Sequence, residues 1–400
     1  MKRLLICSST FPLGPNDRRT ARFVYDLAAA LARHFDVAAL APHHPGAART
    51  ERMGPVAVRR FRYFPPASAQ RLADGAGIMA NVRRSPLARL QAPALLGAFR
   101  HAAARELRRR HYDVVNSHWL VPAGWAAAAA ARRTGARHLL TIHAADVFLL
   151  RRLALGRRVA RGIIQSADAV FCDSAFIIEE TSRLVGFDVE AQATTAGVDA
   201  KTFAPRFSPA KAKEKLGWSA VPTVLFVGRL VEKKGLPYLI RAMARLAREI
   251  PAVRLVAAGE GPARAGAEKL VRELGLTPRV AFIGARSHDE LRLMYNAADV
   301  LAVPSIVARD GETEGMPTVI LEAFAAACPV VGSAVAGIPE FVRDGQTGFL
   351  TTAADDADLA AALKKALDTG REAFGDNCLA AAAKCDFTEL AALYAAAAEG

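Results

Sequence analysis

No stretch of the 400 residues offers the roughly 18 to 20 uninterrupted apolar side chains that a membrane-spanning helix needs. The richest run, residues 119–131, contains Pro122 and Gly124 and is too short. Nor is there the apolar region of a secretory leader: after Lys2 and Arg3 only Leu4, Leu5, Ile6 and Cys7 precede the polar Ser8, Ser9 and Thr10. That segment reads as a first strand, and the chain is expected in the cytoplasm. Cysteine is scarce. The five residues Cys7, Cys172, Cys328, Cys378 and Cys385 are odd in number and scattered, with no C-x-x-C pair and no histidine at zinc-ligand spacing, so reduced thiols are expected. No tandem repeat with a period of 20 to 50 residues is found.

What is present is length, alanine and positive charge. A chain of 400 residues and 42.6 kDa exceeds what one core usually organises, so two domains are expected. Hydrophobic residues make up 52%, much of it alanine, which favours helix while burying little area per side chain. The formal net charge is +14, and all of the excess lies in residues 1–200, with 29 Lys+Arg against 15 Asp+Glu. Such a field attracts anionic lipid headgroups, phosphorylated substrates or nucleic acid alike. Solvated basic faces explain it equally well.

Short β-rich runs alternate with amphipathic helical runs, the pattern of βαβ units around mostly parallel sheets. Strands are expected at 3–8, 36–40, 56–63, 113–117, 137–143 and 169–172, with Asp17 capping a helix that carries Ala21, Val24, Ala28 and Leu31. Residues 65–97, broken by Pro65, Pro66, Pro86 and Pro93, read as an irregular insertion. A boundary falls near 204/205, before Pro209 and a lysine-rich stretch. A second wound unit follows, with strands at 223–227, 254–258, 280–283, 300–303 and 329–332, and a helical tail from about residue 355.

Two constellations carry chemistry. In Phe226-Val227-Gly228-Arg229-Leu230-Val231-Glu232-Lys233-Lys234-Gly235 an apolar strand ends at a glycine and three cations follow. Ligands of open α/β sheets sit at the carboxyl ends of strands. Gly228 lets backbone approach closely, while Arg229 and Lys234 can neutralise a diphosphate, the first as a fork and the second as a point charge. In Glu312-Thr313-Glu314-Gly315-Met316-Pro317-Thr318-Val319-Ile320-Leu321-Glu322 the proline suits the first turn of a helix and Gly315 leaves the amides bare, which makes an anion site. Glu314 in the loop and Glu322 in the second turn can accept hydrogen bonds from sugar hydroxyls.

Together these segments resemble the C-terminal donor site of GT-B glycosyltransferases, in particular the retaining family 4, which joins G-R-L-x-x-x-K-G to E-G-x-P-x-x-x-x-E. Gly259-Glu260-Gly261-Pro262, Phe282-Ile283-Gly284, Ala298-Asp299-Val300 before Pro304-Ser305, and Gly337-Ile338-Pro339-Glu340 extend the resemblance over most of the chain. It implies two facing Rossmann-like α/β domains with a cleft between them, residues 1–204 for the acceptor and 205–385 for the donor, and a terminal helix of about 386–400 crossing back to the first. It implies a UDP-, GDP- or ADP-sugar whose diphosphate meets Arg229, Lys234, Gly228 and the backbone from Gly315 through Met316 and Pro317 to Thr318. Glu322 would hold the ribose, Glu314 the donor sugar, and Arg286 would lie near the base.

In the first half, Thr141-Ile142-His143-Ala144-Ala145-Asp146 stands where the family has H-G-x-D, with Ala144 in place of the glycine. His143 is expected to contact the transferred sugar and Asp146 to help position it. The loop 10–19 has one glycine where relatives have two; Gly14 is the candidate for the donor phosphate and Arg18 for an anionic acceptor. The acidic pair Asp355-Asp356 lies in the helical tail, so the metal-binding D-x-D of other transferases is not expected, and neither metal nor cofactor is called for. The expected reaction is transfer to a hydroxyl acceptor with retention, in exopolysaccharide, lipopolysaccharide or glycolipid synthesis, with a lipid-linked saccharide among the acceptors. Peripheral contact with the anionic inner leaflet is a secondary expectation. Rival readings are a sugar-nucleotide epimerase of the same fold and a non-catalytic basic protein for nucleic acid or membrane surfaces. The sequence lacks the aromatic-interleaved basic motifs of nucleic-acid binders, and no nucleic-acid partner is expected.

Overall fold

The computed structural model describes all residues except 15, 16, 18–21, 74–77, 79, 80, 83 and 84. The chain divides into two compact units, Met1–Ala196 with Phe387–Gly400, and Gly197–Asp386. The division comes ahead of the proline-rich stretch because Asp199 caps a short helix, Ala200–Phe203, and Phe203 is buried in the second unit's core.

The first unit holds an eight-stranded sheet of β1 Arg3–Ser8, β2 Asp36–Pro42, β3 Thr50–Met53, β4 Val56–Phe61, β5 Val114–His118, β6 Arg137–Ile142, β7 Ala169–Cys172 and β8 Gln192–Ala193. Their order is β3-β4-β2-β1-β5-β6-β7-β8. Every pairing is parallel except the β3/β4 hairpin. Leu4 to Cys7 are all buried because both faces of β1 are covered, which is why that strand is a continuous apolar run. The winding reverses between β1 and β5, so the crevice beyond their carboxyl ends is where a ligand is favoured.

One expectation changes here. The Asp17 carboxylate accepts the Leu13 N–H at 2.9 Å, while the segment through which it would cap the Arg22–Leu31 helix, with Ala21, lies outside the described residues. The second half of the expected irregular insertion is a helix, Pro86–Arg109. Ser85 caps it and Pro86 stands at its first position, where no N–H bond is lost. Pro93 removes one interior bond, yet the buried stripe Leu95, Phe99, Ala103 and Leu107, at four-residue steps, holds the helix against the sheet.

The terminal helix Phe387–Glu399 packs in the first unit beside Arg22–Leu31. Its Tyr394 ring stacks on Phe171 with centroids 4.0 Å apart, and its hydroxyl lies 3.0 Å from Thr141 Oγ. The Arg137 guanidinium donates to the Ala397 carbonyl at 2.8 Å.

The second unit is an all-parallel sheet of β9 Thr223–Val227, β10 Arg254–Ala258, β11 Val280–Gly284, β12 Val300–Val303, β13 Val330–Ser333 and β14 Gly348–Thr351, in the order β11-β10-β9-β12-β13-β14. Its winding reverses between β9 and β12, and both constellations read from the second half issue from that point.

Candidate functional site

β9 ends at Gly228, and the chain turns through a short 3-10 segment, Glu232–Lys234, before the helix Leu236–Glu249 opens. Backbone contacts too close for side chains fix the turn. A Cβ on Gly235, at φ +65°, would lie 1.7 Å from the Pro304 carbonyl oxygen. One on Gly259 would lie 1.8 Å from the Gly228 oxygen. The Ile306 N–H donates to the Lys233 carbonyl at 2.9 Å and ties this turn to the loop after β12. Gly228 itself leaves space for the Lys234 stem, whose Cε would stand 3.4 Å from an added Cβ. Arg229 is exposed beside it.

The loop after β12 brings Glu314 to these cations. Lys234 Nζ donates to Glu314 Oε2 at 3.1 Å, while Lys233 Nζ lies 3.4 Å from Oε1 and donates to the Thr313 carbonyl at 2.9 Å. Burial alone pushes the Glu314 carboxyl upward, but Lys234 and then Lys233 outweigh it and hold the group below its ordinary value. Glu314 is therefore an ionised, nearly enclosed carboxylate shared between two lysines. The role of Lys233 was not assigned from sequence; a lysine next to a motif lysine carries no signal until the turn geometry aims both inward.

Pro317 is not in the first turn of the following helix, as expected, but is its N-cap, one position earlier, with Thr318 opening the helix Thr318–Ala325. No side chain caps that end. The Met316 side chain is buried in the unit's core and the Gly315 carbonyl accepts the Gly337 N–H at 2.9 Å, so the segment is clamped from behind. Since proline has no N–H, the donors this stretch can present are the amides of Gly315, Met316 and Thr318.

Glu322 sits one turn further on. Tyr295 donates its hydroxyl to Glu322 Oε2 at 2.7 Å, and His288 Nε2 stands 4.0 Å from Oε1. Burial raises the Glu322 carboxyl, with His288, Tyr295 and Lys234 opposing the shift. Arg286 is turned to its own neighbourhood: its guanidinium meets Glu290 Oε1 at 3.1 Å and the Ile283 carbonyl, beyond the end of β11. Tyr295 and His288 were not singled out from sequence. Nothing in their spacing marks them, because their approach to Glu322 comes from the packing of His288–Ala297 against Thr318–Ala325.

In the first unit, His143 follows β6 at the start of the helix Ala144–Arg151. The ring is enclosed, and both of its nitrogens are engaged: Nδ1 lies 2.9 Å from Asp173 Oδ1, and Nε2 lies 3.2 Å from Nδ1 of His118. Trp119 and Phe23 pack around it at ring centroid distances of 4.7 and 5.4 Å. Burial lowers the His143 imidazole, yet Asp173 more than reverses this and the net direction is upward. His118 is held well below its ordinary value by burial and by the neighbouring His143. His118, Trp119 and Asp173 were missed because they come from the ends of different strands.

Asp146 is buried and accepts the Leu120 and His143 N–H groups at 3.0 and 3.3 Å; burial brings its carboxyl up to about 7. It holds the loop that carries His143. Gly14 is in the loop after β1, where its carbonyl accepts the Asp17 N–H at 3.0 Å. Arg18 lies outside the described residues. Among the described residues no group of three or more His, Cys, Asp or Glu side chains is arranged to hold a metal ion.

Residues 210–378 match the family model described as glycosyl transferases group 1, and residues 20–192 match that of glycosyltransferase family 4. The chain is 32% identical over 227 residues to the GDP-mannose-dependent alpha-(1-6)-phosphatidylinositol monomannoside mannosyltransferase of Mycolicibacterium smegmatis, over 56% of this chain and 59% of that one. It is 32% identical over 321 residues to the D-inositol 3-phosphate glycosyltransferase of Actinosynnema mirum, over 73% of this chain and 74% of that one. With the mannosyltransferase the likeness thus spans 59% of the relative's length, and with the D-inositol 3-phosphate glycosyltransferase of a Mycobacterium strain it spans 60%. Among solved structures, sucrose-phosphate synthase from Thermosynechococcus elongatus superposes with a TM-score of 0.78 at 24% identity, covering 98% of this chain and 97% of that one. Anabaena HepE in complex with UDP and glucose gives 0.71 at 20% identity, covering 99% of each.

Proposed function

The chain belongs to glycosyltransferase family 4, the glycosyl transferases group 1, and has the GT-B fold of two parallel-sheet α/β units; on that premise we propose that it moves a sugar from a nucleotide-diphosphate sugar to a hydroxyl acceptor with retention of configuration. The observation that carries this reading is the convergence of Lys233 and Lys234 on Glu314, beside an uncapped helix start and with Arg229 exposed next to them. Two lysines and an arginine against one shared carboxylate leave a surplus of positive charge at the rim of the sheet, where a pyrophosphate fits.

Breaking the anomeric C–O bond sends its electron pair to the departing phosphate oxygen, and the acceptor oxygen forms the new bond on the same face. The acceptor hydroxyl's proton passes to the departing phosphate. The largest need is stabilisation of charge on that phosphate. Arg229, Lys234 and the amides of Gly315, Met316 and Thr318 supply it in this proposal. Glu314, kept ionised by its lysines, accepts from donor-sugar hydroxyls. Glu322 has one oxygen held by Tyr295 and uses the other for the ribose, and Arg286 lies toward the base. In the first unit, His143 meets the transferred sugar once its contact with His118 is exchanged for a sugar hydroxyl, while Asp173 and Asp146 keep the ring and loop in place. Gly14 is assigned to the donor phosphate in this proposal, and Arg18, which lies outside the described residues, to an anionic acceptor.

The relative named for GDP-mannose and the HepE structure with UDP and glucose support a UDP- or GDP-sugar donor. They also support a glycolipid or saccharide acceptor, and the basic first half supports peripheral contact with an anionic membrane. The test is incubation with UDP-, GDP- and ADP-sugars, with and without a panel of hydroxyl acceptors. Acceptor-dependent release of nucleoside diphosphate with an α-linked product from an α-linked donor is expected. Conversion of the nucleotide sugar alone, without an acceptor, would establish the epimerase reading instead.

A further inference from the structure

Residues 151–158 read Arg-Arg-Leu-Ala-Leu-Gly-Arg-Arg and join the helix Ala144–Arg151 to the helix Gly156–Ile164. The apolar centre of this turn is left in water: Leu153 is 52% exposed and Leu155 68%. All four flanking arginines are exposed as well. Beside the turn lies a groove of about 600 Å³ between Trp125–Thr134 and Gly156–Ile164, lined by Trp125, Arg132, Arg133, Leu155, Arg158 and Val159 among others, with no acidic side chain among the described residues of its lining. Arg100 extends the positive rim, its guanidinium 5.3 Å from the centre of the Trp125 ring.

Part of this surface has an ordinary structural account. Arg151 pairs with Glu180 at 2.9 Å, and Arg132 and Arg133 close the last turn of their helix, where positive charge favours the helix dipole. Folding gives no reason to expose two leucines at one turn within a ring of arginines, since each loses the gain of burial. A phosphate-rich surface with an apolar layer beneath it satisfies both halves of the pattern. Nucleic acid would answer the arginines and leave the leucines without a partner; the Trp125 ring in the groove is covered by Arg100 rather than free to stack on bases.

We propose that this turn and groove form a docking site for an anionic lipid bilayer, in which Leu153 and Leu155 enter the layer below the headgroups while Arg132, Arg133 and Arg158 grip lipid phosphates. The assignment rests on the peripheral-membrane part of the proposed function and is independent of the transfer chemistry. Guanidinium forks match phosphate oxygens two at a time, and the groove's volume of about 600 Å³ leaves room for a headgroup.

The test is flotation of the full chain at physiological salt with phosphatidylcholine vesicles, with and without about 30 mol % phosphatidylglycerol. The wild type is expected to float with the anionic vesicles only. The variant Arg132→Gln/Arg133→Gln/Arg158→Gln is expected to partition on the order of a hundredfold more weakly, at roughly fivefold per arginine. Leu153→Ser/Leu155→Ser is expected to lose roughly tenfold while keeping the preference for anionic lipid. Unchanged melting temperatures establish that both variants fold. Equal binding to both vesicle types, or flotation of the variants like the wild type, overturns the proposal. So does a gel shift with single-stranded RNA that the arginine variant abolishes while no vesicle binds. Nucleoside diphosphate binding, followed by thermal shift in the same samples, separates the two readings: its loss in wild type with flotation intact overturns the donor site and leaves this surface standing.

Discussion

Replacing Lys234 with alanine tests the donor cradle at its centre. The ammonium is 3.1 Å from Glu314 Oε2; at an effective dielectric of about 20 that separation corresponds to about 5 kcal/mol of gross attraction, most of it offset by the desolvation of both groups. A pyrophosphate oxygen offers Lys234 the same kind of partner, so the ligand competes with Glu314 for it instead of meeting a bare cation. The net loss on truncation is then that of one charge-assisted hydrogen bond, about 1.5–3 kcal/mol, or roughly ten- to hundredfold in nucleoside diphosphate Kd. Because the phosphate gains charge as the bond breaks, kcat should fall further, by about a hundredfold or more.

The single variant also leaves Glu314 with Lys233 alone, and a freed carboxylate would repel phosphate. The double variant Lys234→Ala/Glu314→Gln separates the two effects. If Lys234 touches the diphosphate, calorimetry shows the double variant still weak. Affinity returning to the wild-type value would mean that Lys234 does no more than neutralise Glu314, and the cradle would be refuted.

Other expectations follow from the same contacts. Tyr295→Phe removes the hydroxyl from Glu322 and should raise the donor KM by about fivefold, roughly 1 kcal/mol, with little change in kcat, as steady-state kinetics will register. Asp173 holds the His143 imidazole above its ordinary value, so the pair contributes stability that is fully present below about pH 6.5 and is lost as pH rises through the folded value. Asp173→Asn should therefore lower the urea midpoint clearly at about pH 5.5 and far less at about pH 9, and an equal loss at both would contradict the pairing. For Glu314 the sign is opposite: its depressed carboxyl contributes stability above its ordinary value of about 4.3 that is lost on acidification, and Glu314→Gln should flatten that acid limb. Gly235→Ala places a Cβ 1.7 Å from the Pro304 oxygen at a positive φ and should cost roughly 3 kcal/mol or more in a denaturant melt.

Where a strand is fully covered its apolar run is unmistakable, and β1, β7, β9, β10 and β12 lie at the residues expected from the sequence. β3 and β8 escaped because the one is a polar stretch, Thr-Glu-Arg-Met, and the other has two residues at a sheet edge. The prolines at 86 and 93 misled in a definite way: a proline count suggests loop, whereas Pro86 occupies the helix start and the stripe from Leu95 to Leu107 outweighs Pro93.

Much the same holds for the candidate site. Residues contiguous with a turn or a helix start, such as Gly228, Lys234, Glu314 and Glu322, can be read from one segment. Partners delivered from elsewhere cannot: Tyr295 reaches Glu322 across two helices, and Asp173 and His118 reach His143 from β7 and β5. Strand order decides those meetings, and single-segment patterns carry no record of it.

In the proposed reaction the rim between β9 and β12 holds a pyrophosphate. The most direct measurement is calorimetric titration of UDP, GDP and ADP into the wild type and into Arg229→Ala/Lys234→Ala, each checked for an unchanged melting temperature. At least one nucleoside diphosphate should bind the wild type, with its nucleoside monophosphate weaker, and the double variant should lose that affinity by at least about a hundredfold. Binding that is indifferent to the double substitution, or equal for mono- and diphosphate, would mean that this rim does not hold the pyrophosphate.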